Sequence, residues 1–321
     1  MIKKTEIFIR KIITRLFLLA LKAKPVSSMP QISNQTRVVL VTLNRIGDAL
    51  ITTSFIQVLK EKTGCSITLL AGKNNHFVFD SNPHCDDLIL YEKGIAGIVN
   101  TIKKINRGNY NVVIDLHDDV STTVTLLVAF SKVKFKCGLK KRNEKIYTHT
   151  VEKLNPINHH VIDRLMKFTD LFGIGYNREE VNIVYKCKDN SIRKAEDFIT
   201  NNFEKKKFII GINISAGSDA RFWGVHRFKK LYDFLQNYDI NLVLIAAQKD
   251  LHFANQITTG KLKIFCSPSF DEFAAMISKL NFLFTPDTSA VHLASAYHVP
   301  VFGIYARYFT QVFMSVCRHC K

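Results

Sequence analysis

The sequence is poor in the residues that punctuate or cross-link a chain. Its 321 residues include only 14 glycines and 7 prolines, which excludes collagen-like and low-complexity disordered chains. No apolar run reaches the roughly 18 residues that cross a bilayer, so an integral membrane protein is not expected. Acid is scarce beside base. The 27 Asp and Glu face 45 Lys and Arg, leaving a formal charge of +18. That excess calls for an anionic partner: nucleic acid, anionic lipid or a phosphorylated substrate. The seven cysteines, Cys65, Cys85, Cys137, Cys187, Cys266, Cys317 and Cys320, are odd in number and scattered. They make no disulfide framework and fit a reducing compartment. Cys317 and Cys320 form a C-x-x-C with only His319 close by, too few ligands for a structural zinc site.

Several motifs are missing too. The nearest approach to G-x-G-x-x-G is Gly173-Ile174-Gly175, which has Arg178 at the third glycine position and follows a helix rather than a strand. This argues against a standard dinucleotide site. There is no G-x-x-x-x-G-K-[ST] for a P-loop and no G-x-S-x-G nucleophile elbow. No D-x-D pair offers the usual ligands of a metal-dependent nucleotide-sugar site. No clustered basic and aromatic module marks a nucleic-acid binder.

What is present is ordinary globular material, 47% hydrophobic and 22% charged, long enough for about two domains. Residues 37–43 form a β-branched run suited to a buried strand, followed by a short turn at 44–47 and a helical pattern over 48–60. Strands at 66–70, 87–91 and 110–116 alternate with helices at 95–105 and 121–130. Residues 173–190 turn polar, and the domain boundary is placed there. The alternation then restarts: helix 191–203, strand 208–213, helix 227–236, strand 241–246, helix 271–280, strand 282–285, a helix from Ser289 and a strand at 300–304. Alternating strands and helices predict two doubly wound α/β halves, each with a parallel sheet covered on both faces.

The N-terminal residues 1–24 carry Lys3, Lys4, Arg10, Lys11, Arg15, Lys22 and Lys24 against one acid, Glu6. On a helical wheel Ile9, Ile12, Ile13, Leu16 and Ala20 share one side, and Lys4, Lys11, Arg15 and Lys22 the other. This predicts a basic amphipathic helix on an anionic membrane surface. Two readings compete: packing on the protein's own surface, and a secretory signal peptide, against which stand the short apolar stretch Leu16–Leu21, the directly following Lys22 and Lys24 and the lack of a small-x-small cleavage site. Residues 25–36, polar and with two prolines, read as a linker. The expected domains are then 37–180 and 181–321.

Ligands of doubly wound folds bind beyond the carboxyl ends of the strands, which selects three loops. In the first, Asn44-Arg45-Ile46-Gly47-Asp48, Gly47 is expected to allow a tight turn and the approach of a substrate. Asp48 falls at a helix start, where it can cap, serve as a base, or do both. In the second, residues 215–223, the small residues Ser215 and Gly217 let backbone N–H groups approach phosphate oxygens, and Arg221 can neutralise a diphosphate. Trp223, the only tryptophan, is expected to pack. In the third, residues 285–292, Thr288 and Ser289 stand at a helix N-terminus suited to anions. Asp287 can fix the loop or meet a sugar hydroxyl, and His292 is either a core histidine or a ribose or phosphate contact. Asp115, His117, Asp118 and Asp119 follow the strong strand over 110–116. They either cap the next helix or contact an acceptor.

Together these loops resemble the glycosyltransferase family that contains the lipopolysaccharide ADP-heptose heptosyltransferases, glycosyltransferase family 9. N-R-I-G-D-x-L-x-T-x-x-x-x-x-L-K from Asn44 to Lys60 is similar to its opening signature, and Ser215 to Phe228 to its phosphate loop. Pro286 to Pro300, PDTSAVHLASAYHVP, is similar to its P-D-T-[GS]-x-x-H-L-A-x-A signature. The resemblance implies a GT-B fold, two Rossmann-like doubly wound domains facing a cleft. It implies inverting, metal-independent transfer of a heptose from ADP-heptose to a hydroxyl of the lipopolysaccharide inner core. The partners it implies are an ADP-sugar donor, a lipid A–core oligosaccharide acceptor and, through the N-terminal helix, an anionic membrane surface. No cofactor, metal or nucleic acid is expected, and the expected place is the cytoplasmic face of the inner membrane.

By the resemblance, Asp48 is the general base. Arg221, Thr288 and Ser289, with Ser215 and Gly217, hold the donor diphosphate. Asp287, His292 and Gln248 lie toward the nucleoside and sugar, and Arg45, Gly47 and Asp118 toward the acceptor. The family continues beyond the position of Ile304-Tyr305 with a Gly/Pro-rich loop and further helices, so the second domain is expected to be shortened. The alternatives are the same fold with another nucleotide-sugar donor, or a truncated inactive member that binds only nucleotide or membrane.

Overall fold

The structure is a computed structural model and describes residues 21–204, 206–258 and 263–305. The chain separates into two compact units between Asn182 and Ile183.

The first unit is a six-stranded, wholly parallel sheet. Its strands are β1 (Arg37–Thr42), β2 (Ser66–Gly72), β3 (Asp87–Tyr91), β4 (Val112–Asp115), β5 (Phe135–Leu139) and β6 (His149–Val151), in the order β3-β2-β1-β4-β5-β6. Val38, Val39, Leu40 and Val41 of β1 are completely buried. A strand in the middle of a parallel sheet is covered on both faces, so continuous rather than alternating apolar character is required there. Helix α1 (Ile46–Thr63) is buried around most of its circumference from Ala49 to Leu59. It ends at Gly64, whose φ of +67° lets its N–H close on the Lys60 carbonyl at 2.8 Å. Helices α2 (Ile95–Arg107), α3 (Thr122–Phe130) and α4 (Val161–Met166) follow.

The second unit repeats the plan with five parallel strands. These are β7 (Ile209–Asn213), β8 (Asn241–Ala246), β9 (Lys263–Cys266), β10 (Phe282–Pro286) and β11 (Val301–Ile304), in the order β11-β10-β7-β8-β9. Its helices are α5 (Asp189–Asn202), α6 (Val225–Leu235), α7 (Leu251–Ile257), α8 (Phe270–Ser278) and α9 (Ser289–Ala296). Ser269 caps α8 and Thr288 caps α9, each hydroxyl accepting a backbone N–H of the first turn. Both sheets step outward from their first strand and then return to its other side, so the strand order reverses beside β1 in one unit and beside β7 in the other. The doubly wound α/β expectation is met in both halves.

Some expectations change. The helix expected over 1–24 falls mostly on residues 1–20, which lie outside the described residues. Leu21–Lys24 carry no helix. Instead the Ala23 N–H bonds the Lys145 carbonyl at 2.8 Å and Leu21 packs on the first core. The sequence reading also omits β5, β6, α4, α7 and β9. These elements are three to seven residues long, shorter than the window in which a period can be counted.

Candidate active site

In the first unit the strand order reverses between β1 and β4, and the loops leaving these strands lie side by side. Arg45 precedes α1 in an extended conformation (φ −74°, ψ 167°), and its N–H donates to Asp48 Oδ2 at 3.2 Å. Asp48 therefore caps α1 from within its first turn, and the bond fixes the direction of the carboxylate. Its side chain remains open to solvent. Even so, the protein atoms around it withdraw enough water to raise its pKa above the ordinary carboxylate value. The nearby Asp118 charge adds to the rise, against the lowering pull of the Arg45 N–H and guanidinium.

Gly47 does not make the tight turn expected of it. It lies within the first turn of α1, and it is not among the glycines with positive φ. Helix geometry starts one residue after Arg45, so no left-handed residue is needed.

The loop beyond β4 also differs from expectation. None of its acids caps α3; Ser121 does, its Oγ accepting the Val124 N–H. Asp115 is fully buried instead. Its Oδ1 receives His117 Nδ1 at 2.8 Å and the His117 N–H at 3.0 Å. Its Oδ2 receives Lys141 Nζ at 2.9 Å and the Tyr147 hydroxyl at 2.5 Å. Burial by itself would raise the Asp115 pKa. The hydrogen bonds from His117 and Tyr147 and the Lys141 ammonium outweigh it and hold the pKa below the ordinary carboxylate value. Asp118 pairs with Arg164, whose side chain is nearly buried, and its carbonyl accepts Lys153 Nζ at 2.8 Å. Asp118 is thus placed near Asp48 but already holds a cation.

In the second unit the reversal lies between β7 and β10, and two of the three candidate loops meet there. Arg221 closes a short 3-10 turn (Asp219–Arg221) and donates from Nη1 to the Asp287 carbonyl at 3.2 Å. The same nitrogen lies 3.4 Å from Asp287 Oδ2. Both side chains are about one-third exposed, at 35% and 36%, so the guanidinium can reach an anion from solvent. Asp287 fixes the loop, one of the two roles open to it. Thr288 is the N-cap of α9, its hydroxyl accepting the Ala290 N–H at 3.2 Å, and Ser289 is the first helical residue. The loop behind them is anchored by Asn213 Nδ2, which donates to Thr285 Oγ1 at 2.8 Å.

Ser215 is held by its neighbours. Its N–H donates to Asn213 Oδ1, and its Oγ accepts the Ala247 N–H at 2.7 Å. Gly217 is exposed, and a Cβ built there would meet nothing within 4 Å, so packing within the protein does not demand glycine. Gln248 lies just past β8, exposed, its side-chain carbonyl accepting the Cys266 thiol at 3.3 Å. His292 is half-buried one turn inside α9. Trp223 packs edge-on against Phe228 at 5.1 Å between ring centres, a packing role as expected.

Lys141, Tyr147, Asn75 and Arg164 escape the sequence reading. Lys141 stands in the run Lys140-Lys141-Arg142, which reads as a solvated patch, yet its side chain is 5% exposed. Only the position of β5 beside β4 reveals it. Among the described residues no group of three or more His, Cys, Asp and Glu is arranged to hold a metal ion. No helix among them is long and apolar enough to cross a membrane.

Two doubly wound units, each with polar side chains gathered where its strand order reverses, are of the α/β class that binds ligands at those reversal points. The family model of glycosyltransferase family 9 (heptosyltransferase) matches residues 98–314. The chain is 21% identical over 277 residues to the lipopolysaccharide core heptosyltransferase OpsX of Haemophilus influenzae, covering 83% of this chain and 78% of that one. A family 9 glycosyltransferase of Veillonella parvula has a similar fold, with a TM-score of 0.79 at 19% identity, over 90% of this chain and 86% of that one. The Escherichia coli heptosyltransferase WaaC, solved with ADP-2-deoxy-2-fluoro heptose, gives a TM-score of 0.69 at 15% identity, over 87% and 92% of the two chains. The chain belongs to glycosyltransferase family 9 and is a glycosyltransferase.

Proposed function

We propose that this chain transfers a heptose from ADP-heptose to a hydroxyl of the lipopolysaccharide inner core, with inversion and without a metal. The observation that carries the reading is the contrast between the two reversal points, one in each unit. One presents a fixed carboxylate with a raised pKa, and the other presents a reachable guanidinium beside a helix start. In the reaction, Asp48 accepts the proton of the acceptor hydroxyl as its oxygen attacks the anomeric carbon. The bond from that carbon to the diphosphate oxygen breaks, and ADP departs with the electron pair. Arg221 and the N–H groups at the start of α9 stabilise the growing negative charge. Asp48 then returns its proton to water. The raised pKa strengthens Asp48 as a base.

Gln248 and His292 are assigned to the nucleoside side, and Arg45 and Asp118 to the acceptor side. The donor assignment draws on the names of the relatives, OpsX and the ADP-heptose-analogue-bound WaaC. The basic charge of +18 suits an anionic, membrane-borne acceptor, with the N-terminal segment at the membrane surface.

Calorimetric titration with ADP, UDP and NAD, with and without EDTA, tests the donor site. Saturable ADP binding that survives EDTA and weakens in Arg221→Ala is expected. Selective UDP binding would move the donor to another nucleotide sugar, and a folded chain that binds no nucleotide would overturn the reading.

A further inference from the structure

The loop that leads into Asp48 is held from two sides. Asn75, buried beyond β2, donates from Nδ2 to the carbonyls of Thr42 at 2.9 Å and Asn44 at 3.1 Å. From the other side, His117 Nε2 accepts the Leu43 N–H at 3.1 Å. Because Nε2 accepts, the ring proton lies on Nδ1, which donates to Asp115. Both ring nitrogens are therefore committed. A histidine so placed is a neutral strut rather than a proton carrier.

The strut is fixed in turn. Asp115 is clamped by Lys141 and Tyr147. Lys141 also donates to the carbonyls of His117 at 2.6 Å and Asp119 at 3.4 Å, so its three acceptors lie at the end of β4 and in the loop beyond it. With 5% of its side chain exposed, Lys141 is closed off from a substrate. A buried ion pair is a poor source of net stability, because desolvation offsets most of the Coulomb gain. What such a cluster supplies well is a single geometry.

We propose that Lys141, Asp115 and His117 form a positioning relay. Lys141 and Asp115 hold the neutral imidazole, and the imidazole holds the Leu43 backbone that aims Asp48. The kinetic consequence rests on Asp48 as base; the geometric part does not. A base must sit within a fraction of an ångström of its proton, and a misplacement of about 1 Å costs on the order of 100-fold in rate. None of the three is a catalytic residue.

The test uses the full chain with His117→Gln, His117→Ala and Lys141→Met. A glutamine amide can donate to Asp115 and accept from Leu43, as the neutral imidazole does, whereas it cannot carry a proton. Three quantities are read: amide hydrogen exchange at Leu43, turnover with ADP-heptose and a lipid A–core acceptor, and ADP affinity. In His117→Ala and Lys141→Met, exchange at Leu43 should quicken about tenfold or more, and kcat should fall roughly 10- to 100-fold with ADP affinity unchanged. His117→Gln should keep Leu43 protection and most of kcat.

Equal loss of kcat in His117→Gln and His117→Ala, with Leu43 still protected in the former, would make the imidazole a chemical participant and overturn the relay. Unchanged Leu43 exchange and turnover in Lys141→Met would overturn it as well. If Lys141→Met does not fold, the His117 pair decides by the same criteria. Full turnover in Asp48→Asn would remove the base assignment, while the Leu43 exchange would still report on the relay.

Discussion

Both sheets place their first strand beside the point where strand order reverses, yet the two reversal points are made of different material. In the first unit, Asp115 and Lys141 are 1% and 5% exposed, and both Asp115 carboxylate oxygens accept hydrogen bonds from neighbouring side chains. In the second, Arg221 and Asp287 stay about one-third exposed, and their 3.4 Å contact is loose. On the proposed reaction the difference has a physical reason. A general base would work only in one orientation, which a buried, hydrogen-bonded support supplies. A diphosphate site would exchange its occupant, which suits a guanidinium resting on a partner that an anion can displace.

The strongest way to break this comparison is to remove the proposed base. Asp48→Asn should lower kcat by about 10²- to 10⁴-fold and leave ADP affinity as it is; a calorimetric and kinetic pair of measurements shows whether the two effects separate. The wild-type pH profile belongs to the same test. A general base acts deprotonated, so with Asp48 in that role kcat/KM should rise with pH through a value above the ordinary 3.8, and that limb should vanish in Asp48→Asn.

Next in size is the buried support. The Asp115 pKa is held below its ordinary 3.8. A depressed acid stabilises the fold above its unfolded pKa and loses that contribution as pH falls through the folded one. The first unit should therefore weaken as pH falls below about 4. Asp115→Asn, which strands the Lys141 charge, should cost about 3–5 kcal/mol in urea unfolding at neutral pH. The second unit offers no such buried pair at its own reversal point, and Arg221→Ala should act on binding instead. The expected outcome is ADP affinity reduced roughly 10- to 100-fold, the size of a charge-assisted hydrogen bond, with the melting temperature unchanged. The smallest effect sharpens the map. Gly217→Ala has room for its Cβ, so stability should stay within about 0.5 kcal/mol. A loss of ADP affinity of a few-fold in that variant would put a phosphate oxygen against this loop.

The legible part of the sequence was local. The apolar run of β1, the Thr288 start of α9 and the small residues around Gly217 can each be read within a few neighbours, because burial pattern and capping act over that range. Asp48 was found for the same reason, though its double role as cap and candidate base needed the Arg45 N–H to be seen. The reading of Gly47 went astray because glycine suggests a turn, and here the helix had already begun. The capping role given to the acids beyond β4 went astray because the partners that Asp115 and Asp118 take instead, Lys141, Tyr147 and Arg164, lie 26 to 46 residues away.

By itself, then, the sequence determined the alternation of strands and helices, the two doubly wound halves and the strand-to-helix loops that carry the candidate residues. Periodicity and helix capping are short-range properties written residue by residue. Tertiary structure alone decided that Lys141 is a buried clamp instead of a surface cation, and that His117 is a strut on Leu43. Those roles depend on β5 lying beside β4 and β4 beside β1. Strand order is a long-range outcome of closing the sheet, and no spacing along the chain encodes it.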